Sequence, residues 1–418
     1  MAMDTSQVTE PVTVDVAVIG AGPAGAAAAI ELARAGWDVV LIDKAIFPRD
    51  KICGDGLTTG ALRVLERLGV EPSAIASWTP VSDIHVSGPK QHVVTFPLPK
   101  DQGNYAVITR RMDLDAALVD RAREVGVRVL EGASVVGIDD GSGDGGGVSD
   151  DAATVELSDG ALVRAGSVVA ADGMWSPTRK MLGTAEAGYL GEWHAFRQYF
   201  TNVGPKARDL WVWFEADLLP GYFWCFPLPD GRANVGFGIM RGAKVSTKEM
   251  KALWPQLLAR PYIAEVLGPD AVAEDRHQAW PIPARVGELA LTKGRVLWVG
   301  DAAAVTDPMT GEGIGQALQT GVLAAEAIMG RGSVADIASR YDVSIRRELV
   351  ADHKMSMLLV RALSHRKGAR AAIRVAGLTP WTRRNFARWL FEDEPRAIAL
   401  TPRRWHRQFL KRDGAYAD

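Results

Sequence analysis

Apolar positions follow two rhythms along this chain, one of short continuous runs and one of helical spacing. Val12–Ile19 is a nearly unbroken apolar run. A glycine-rich break at 20–25 follows, and then an alanine-rich stretch, Ala26–Ala35, whose spacing predicts a helix. Asp38–Ile42 predicts a second strand, so residues 12–70 read strand, helix, strand, loop, helix. Residues 81–109 hold short strand-like runs broken by Gly88-Pro89, Pro97 and Pro99, and Met112–Val125 has helical spacing. Ser134–Ile138, Ala153–Leu157 and Leu162–Arg164 predict a small antiparallel excursion whose tip, Gly141–Asp151, is expected to be disordered. Ser167–Ala171 and Arg295–Val299 return as buried strands. Between them, 193–240 is rich in Trp, Phe, Tyr and Val with Pro/Gly breaks and predicts several strands of a second sheet. Gly313–Met329 and Ser333 to about Leu363 predict helices, and two or three short helices are expected beyond.

The expected fold is α/β. A Rossmann-type nucleotide domain (12–80, 105–180 and 290–345) is interrupted by an antiparallel-sheet substrate domain (81–104 and 181–289), and a basic helical region (346–418) follows. Composition narrows the class. The 418 residues are 47% hydrophobic and 23% charged with net charge −2, which gives no global pull toward nucleic acid. That balance hides an asymmetry: Arg346–Asp418 carries 17 Lys/Arg against 7 Asp/Glu. Two cysteines, Cys53 and Cys225, exclude a disulfide framework and fit a cytoplasmic setting. The first residues lack a basic and apolar leader, and no run is long enough to span a bilayer, so neither a signal peptide nor a transmembrane helix is expected. The seven histidines lack metal-ligand spacing and no metal is expected; no G-x-S-x-G points to hydrolysis.

The glycine break reads Gly20-Ala21-Gly22-Pro23-Ala24-Gly25. In a strand–turn–helix setting, Gly20 permits the tight turn, Gly22 admits a diphosphate and Gly25 lets helix approach strand. The helix start offers N–H donors to phosphate. Asp43, 23 residues after Gly20 and followed by Lys44, can accept bonds from a ribose. Asp172-Gly173 and Gly300-Asp301 both end buried strands, where ligands bind in open α/β sheets. Asp301 suits either ribitol hydroxyls or a helix cap. Gly311, Gly313 and Ile314 lead into a helix whose start can face a flavin.

Taken together, GAGPAGAAAA at 20, DG at 172 and GDAAAVTDPMTGEGIGQAL at 300–318 resemble FAD-dependent oxidoreductases with the aromatic-hydroxylase fold. The resemblance implies an FAD-binding domain and assigns Arg111 to the cofactor, with its neighbour Arg110 a competitor for that role. Phe47–Leu57 (FPRDKICGDGL) and Pro220–Pro227 (PGYFWCFP) are similar to two segments of the geranylgeranyl reductase-like enzymes. That similarity implies a catalytic Cys53 near the flavin, supported by Gly54, Asp55 and Gly56. It also implies a prenyl cavity lined by Tyr222, Trp224, Phe226 and Pro227, with Tyr222 and Trp224 at the reacting end. The plain alternatives are a buried apolar cysteine and an aromatic core strand.

The implied activity is FAD-dependent saturation of isolated C=C bonds in a prenyl diphosphate, menaquinone or prenylated lipid, with NAD(P)H or ferredoxin as a transient electron donor. An apolar tunnel would hold such a chain by burial, about 0.8 kcal/mol per CH₂. A flavin monooxygenase or halogenase on the same scaffold is the alternative, although WCFP at 224–227 leaves the halogenase WxWxIP element incomplete. A noncatalytic FAD- and lipid-binding protein is a third. In the tail, Trp381, Phe386, Trp389, Leu390, Phe391 and Trp405 interleave with arginines. That pattern suits either peripheral contact with the inner face of the cell membrane or a helical cap.

Overall fold

The computed structural model describes residues 11–142, 151–391, 395–398, 401–405 and 411–417. The Gly141–Asp151 tip falls mostly outside them. Val12–Ile19, Val39–Asp43, Arg128–Glu131, Leu162–Ala170 and Val296–Trp298 form a parallel sheet in the order 296–298, 162–170, 12–19, 39–43, 128–131. These runs are Val-rich because a parallel sheet is covered on both faces. The helices Pro23–Arg34 and Ile314–Met329 lie over it in close contact. Their small residues permit that: Ala26–Ala29 are fully buried, and a Cβ on Gly321 would fall 2.1 Å from the Ala24 carbonyl oxygen.

Leu162–Ala170 differs from expectation, being one strand rather than two. It pairs parallel with Val12–Ile19 along its length on one edge, while on the other edge its first half pairs antiparallel with Ala153–Leu157 and its last residues pair parallel with Val296–Trp298. Gly166 resembles a break in the sequence. Here it is a close approach, since a Cβ would sit 3.1 Å from the Asp15 carbonyl oxygen.

The second sheet is largely antiparallel. It runs through Trp193–Thr201, Arg232–Met240, Tyr222–Leu228, Leu210–Trp213, Asp83–Ser87 and Val93–Pro97. Among the described residues, only the Leu210–Trp213 and Asp83–Ser87 pair of this sheet is parallel. One face packs on Met250–Leu258 and Pro261–Leu267 through Phe196, Phe223, Phe237 and Trp254. Gly56–Thr58, Ala106–Ile108 and Thr79–Pro80 form a small third sheet. The fold is the expected α/β arrangement with a helical C-terminal region. The single helix expected over 333–363 is Val334–Ile345 and Ala351–Leu363, joined through a π-helical turn at Arg346–Val350. Arg366–Ala376 and Pro380–Leu390 follow. Among the described residues no helix is long and apolar enough to cross a membrane, and no cluster of His, Cys, Asp or Glu could hold a metal.

Candidate active site

The glycine turn has the geometry its sequence predicts. Gly20 has φ +100°, and a Cβ there would lie 2.3 Å from the Ala171 carbonyl oxygen; one on Gly25 would lie 1.8 Å from that of Gly20. Pro23 and Ala24 are buried in the first helical turn, and Gly22, the residue before it, offers no capping side chain. The N–H groups of that turn are therefore left for a ligand. A Cβ on Gly22 would meet only the guanidinium groups of Arg49, at 3.7 Å, and Arg111, at 4.0 Å. Asp43 accepts from the backbone N–H of Ala21 (2.7 Å) and of Ala45 (2.8 Å), so it closes the turn, while Lys44 beside it is exposed.

Arg111 and Arg110 part company. Arg111 is buried and makes a two-pronged bond to Asp115 (2.8 and 2.7 Å), which also accepts from Arg49 (2.7 Å). Arg110 stacks 4.3 Å over the Tyr199 ring and reaches Glu274. Lys51 stands with Nζ 3.6 Å above the Trp280 ring. Burial lowers its pKa to about 8, against the pull of Asp301 and together with the push of Arg111 and Arg49. Two arginines balanced by one buried carboxylate leave positive charge beside Gly22, which fits a dinucleotide diphosphate. Gly300, with φ +60°, donates its N–H to Thr320 Oγ1 (3.0 Å) and packs on Ala24, which sets Asp301 beside the glycine helix. Asp172 is engaged locally: it accepts from Ser176 Oγ (2.7 Å), Thr178 N–H (2.8 Å) and Thr178 Oγ1 (2.8 Å). It thereby fixes the start of the helix Pro177–Met181.

The loop from Thr306 to Gly313 is held by Asp307. One carboxylate oxygen accepts from the N–H groups of Met309 and Thr310 and from the Thr310 hydroxyl. The other accepts from Ser356 Oγ (2.5 Å) and Arg396 Nε (3.2 Å). Burial would raise the Asp307 pKa, but Arg396 and the hydroxyl and N–H donors outweigh it and hold the carboxyl below its usual range. Ile314 opens the helix that follows. The Tyr222 hydroxyl donates to the Thr310 carbonyl, and a Cβ on Gly311 would sit 3.5 Å from that hydroxyl.

The Cys53 loop meets the same strand. A Cβ on Gly54 would lie 3.7 Å from Phe226 and 3.9 Å from Trp224, and one on Gly56 would lie 3.6 Å from Phe226. The alternation of Tyr222–Leu228 puts Tyr222, Trp224 and Phe226 on this face. Phe223 and Cys225 point into the opposite core. By the same alternation Pro227 belongs to that opposite face and is not brought together with the other three. Gly236 on the neighbouring strand makes room for the indole, since a Cβ there would be 2.4 Å from Trp224 Cζ2.

Asp55 is fully buried in a left-handed conformation (φ +66°). It accepts from the Tyr199 hydroxyl (2.6 Å) and from Asn234 Nδ2 (2.8 Å). Burial raises its pKa to about 6 against the opposing effect of Arg197, Tyr199 and Asn234. Asn234 also donates to the Cys53 carbonyl (2.9 Å) and accepts from Trp224 Nε1 (3.0 Å). It therefore ties the cysteine loop to the aromatic strand. Cys53 is half-buried, and burial pushes its thiol up to about 11 despite Arg111, so it is protonated at neutral pH. Asn234 and Tyr199 were not anticipated. The available signal was a lone amide in an apolar strand and a polar Arg197–Tyr199 stretch among aromatics.

A family model for the FAD binding domain matches residues 13–332. The chain belongs to this FAD-binding family. It is 34% identical to the menaquinone reductase of Mycolicibacterium smegmatis, over 84% of each chain. It is 32% identical to digeranylgeranylglycerophospholipid reductase 2 of Methanopyrus kandleri, over 78% of this chain and 81% of that one. The solved structure of a geranylgeranyl bacteriochlorophyll reductase-like protein from Thermoplasma acidophilum shares the fold, with TM-score 0.76, 21% identity, and coverage of 94% and 100%. The protein is an FAD-dependent oxidoreductase of the geranylgeranyl reductase-like family.

Proposed function

We propose that this enzyme saturates isolated C=C bonds in a polyprenyl chain, with a menaquinone as the first substrate to test. The observation that carries the reading is the meeting of three segments. Tyr222, Trp224 and Phe226 face the glycines of the Cys53 loop on one side, and Tyr222 bonds the 306–313 loop on the other. An apolar aromatic wall is thereby set against the loops that the glycine turn and Arg111 align for FAD. When bound and reduced, FAD supplies hydride. The residues of the chain do the rest. In this reading Arg111, Arg49 and the uncapped helix at Gly22 hold the diphosphate, and Asp43 and Asp301 accept from hydroxyl groups of the cofactor. Trp224 and Phe226 exclude water and bind prenyl carbons by burial. Aromatic faces stabilise developing positive charge on the olefin. Cys53, held as a thiol, carries a proton within this wall, and proton delivery is what an olefin lacking a carbonyl requires.

The menaquinone choice is supported by the identity shared with a menaquinone reductase over most of both chains. The electron donor, NAD(P)H or a ferredoxin, docks transiently in this reading. The test is anaerobic incubation of dithionite-reduced enzyme with menaquinone, a prenyl diphosphate and a prenylated glycerolipid, followed by mass spectrometry. Gains of two mass units are expected. Oxygen-dependent gains of sixteen, or no product from any of the three, would overturn the reading.

A further inference from the structure

We infer that the turn between helices Arg366–Ala376 and Pro380–Leu390 is a wedge that enters the surface of an anionic phospholipid bilayer. Val375, Leu378 and Trp381 are 60%, 70% and 69% exposed and lie within seven residues of one another. A soluble cap has no use for three large apolar side chains on one outward turn. The inward face is already complete: Ala369, Ile373, Ala376 and Ala387 are buried, and Phe386 packs 5.0 Å from Phe96 on the second sheet. The aromatic residues of this region are thus divided. Phe386 turns toward the sheet and pairs with Trp389 (5.9 Å), while Trp381 turns outward.

The charge around the turn selects the partner. Residues 353–391 contain nine Lys/Arg and no Asp or Glu, in a chain of net charge −2. Arg366, Lys367, Arg374, Arg383 and Arg384 are exposed, and among the described residues none has a carboxylate partner. Cations flanking a Trp/Leu tip match a headgroup layer of negative lipids, with the apolar tip about 5–10 Å deep. The tip is presented rigidly. Thr379 and Thr382 form a reciprocal cap at the second helix, Pro380 occupies its first turn, and Arg383 Nε donates to the Gly377 carbonyl (2.9 Å).

The wedge also lies over an apolar core that extends to the aromatic strand. The core under the two helices includes the half-exposed Phe386, Phe391, Val212, Phe214 and Phe226, and Phe214 lies 5.9 Å from Tyr222. On the prenyl-reductase reading, on which this last step rests, a lipid substrate passes from the bilayer along this core to the aromatic strand.

The FAD-loaded full chain is sedimented with vesicles of phosphatidylglycerol and phosphatidylcholine, and with phosphatidylcholine alone. Binding is expected only to the anionic vesicles and is expected to weaken with salt. The L378S/W381S variant should bind at least about tenfold more weakly, and R374E should cost about fivefold or more, with FAD content and melting temperature unchanged. Activity on menaquinone dispersed in detergent should survive in L378S/W381S while activity on vesicle-embedded menaquinone falls. Equal binding to both vesicle types, no binding, or a variant that binds like the parent would overturn the proposal. So would a parent that ignores vesicles but dimerises through a contact that L378S/W381S dissolves, which would assign the face to a second copy. Vesicle binding without olefin reduction would leave the wedge intact and overturn only the substrate reading.

Discussion

Asn234 stands in a strand of apolar neighbours, and three groups of the site lean on its one amide: the Asp55 carboxylate, the Cys53 carbonyl and the Trp224 indole. Asn234→Ala leaves each of them short of a partner in a buried setting. It should cost about 1–3 kcal/mol per orphaned group, and chemical denaturation measures the loss. Asp55 gives a pH signature. Its folded pKa of about 6 lies above the usual 3.8, so the folded state holds the extra proton between those values. Stability therefore falls as pH rises from about 4 to 6, by roughly 3 kcal/mol in all, and stays low above that. Asp55→Asn should flatten the fall in melting temperature across this window. Cys53→Ala should lower turnover at least about tenfold with FAD content unchanged; loss of FAD instead would make the cysteine structural. The bonds of Asn234 and Tyr199 to Asp55 could not be read from the chain. Their partners lie 179 and 144 residues away, and no local spacing encodes such distances. The glycine turn was legible because its demands are local: a positive φ at Gly20 and no room for a Cβ at Gly25.

Among the elements, the aromatic strand depends on the strand beside it. Gly236→Ala places a methyl group 2.4 Å from the Trp224 ring, so the indole must swing out of its place against Gly54. The methyl group also falls 2.4 Å from the Phe196 carbonyl oxygen, so the variant should lose stability as well as turnover, read by chemical denaturation and by the same mass-spectrometric assay. The aromatic and Val content of 193–240 with its Pro/Gly breaks marked strands, and the structure has them. Alternation shows why Pro227 and Tyr222 face opposite ways although both belong to one sequence signature. The runs Leu162–Arg164 and Ser167–Ala171 are one strand because Gly166 between them answers a neighbouring backbone, the Asp15 carbonyl oxygen, and a glycine demanded in that way looks the same in sequence as one demanded by a turn.

Across the whole molecule, the C-terminal residues hold the site together from behind. The Asp307–Arg396 pair is buried on both sides, with side chains 5% and 2% exposed. Arg396→Ala should destabilise the fold by about 3–5 kcal/mol, because a buried carboxylate is left without its counter-charge. Farther along, Ala415 bridges to Asn104, and the Tyr416 hydroxyl donates to the Val70 carbonyl (2.7 Å). The composition of the tail revealed its charge but not this role, since the partners of its arginines are set by tertiary packing. There is a consequence for biosynthesis. The loop beneath Tyr222 is fastened by Ser356 and Arg396, so it stays unmoored on the ribosome until Arg396 has emerged. Nascent chains halted at Phe391 should carry finished parallel strands yet retain no flavin.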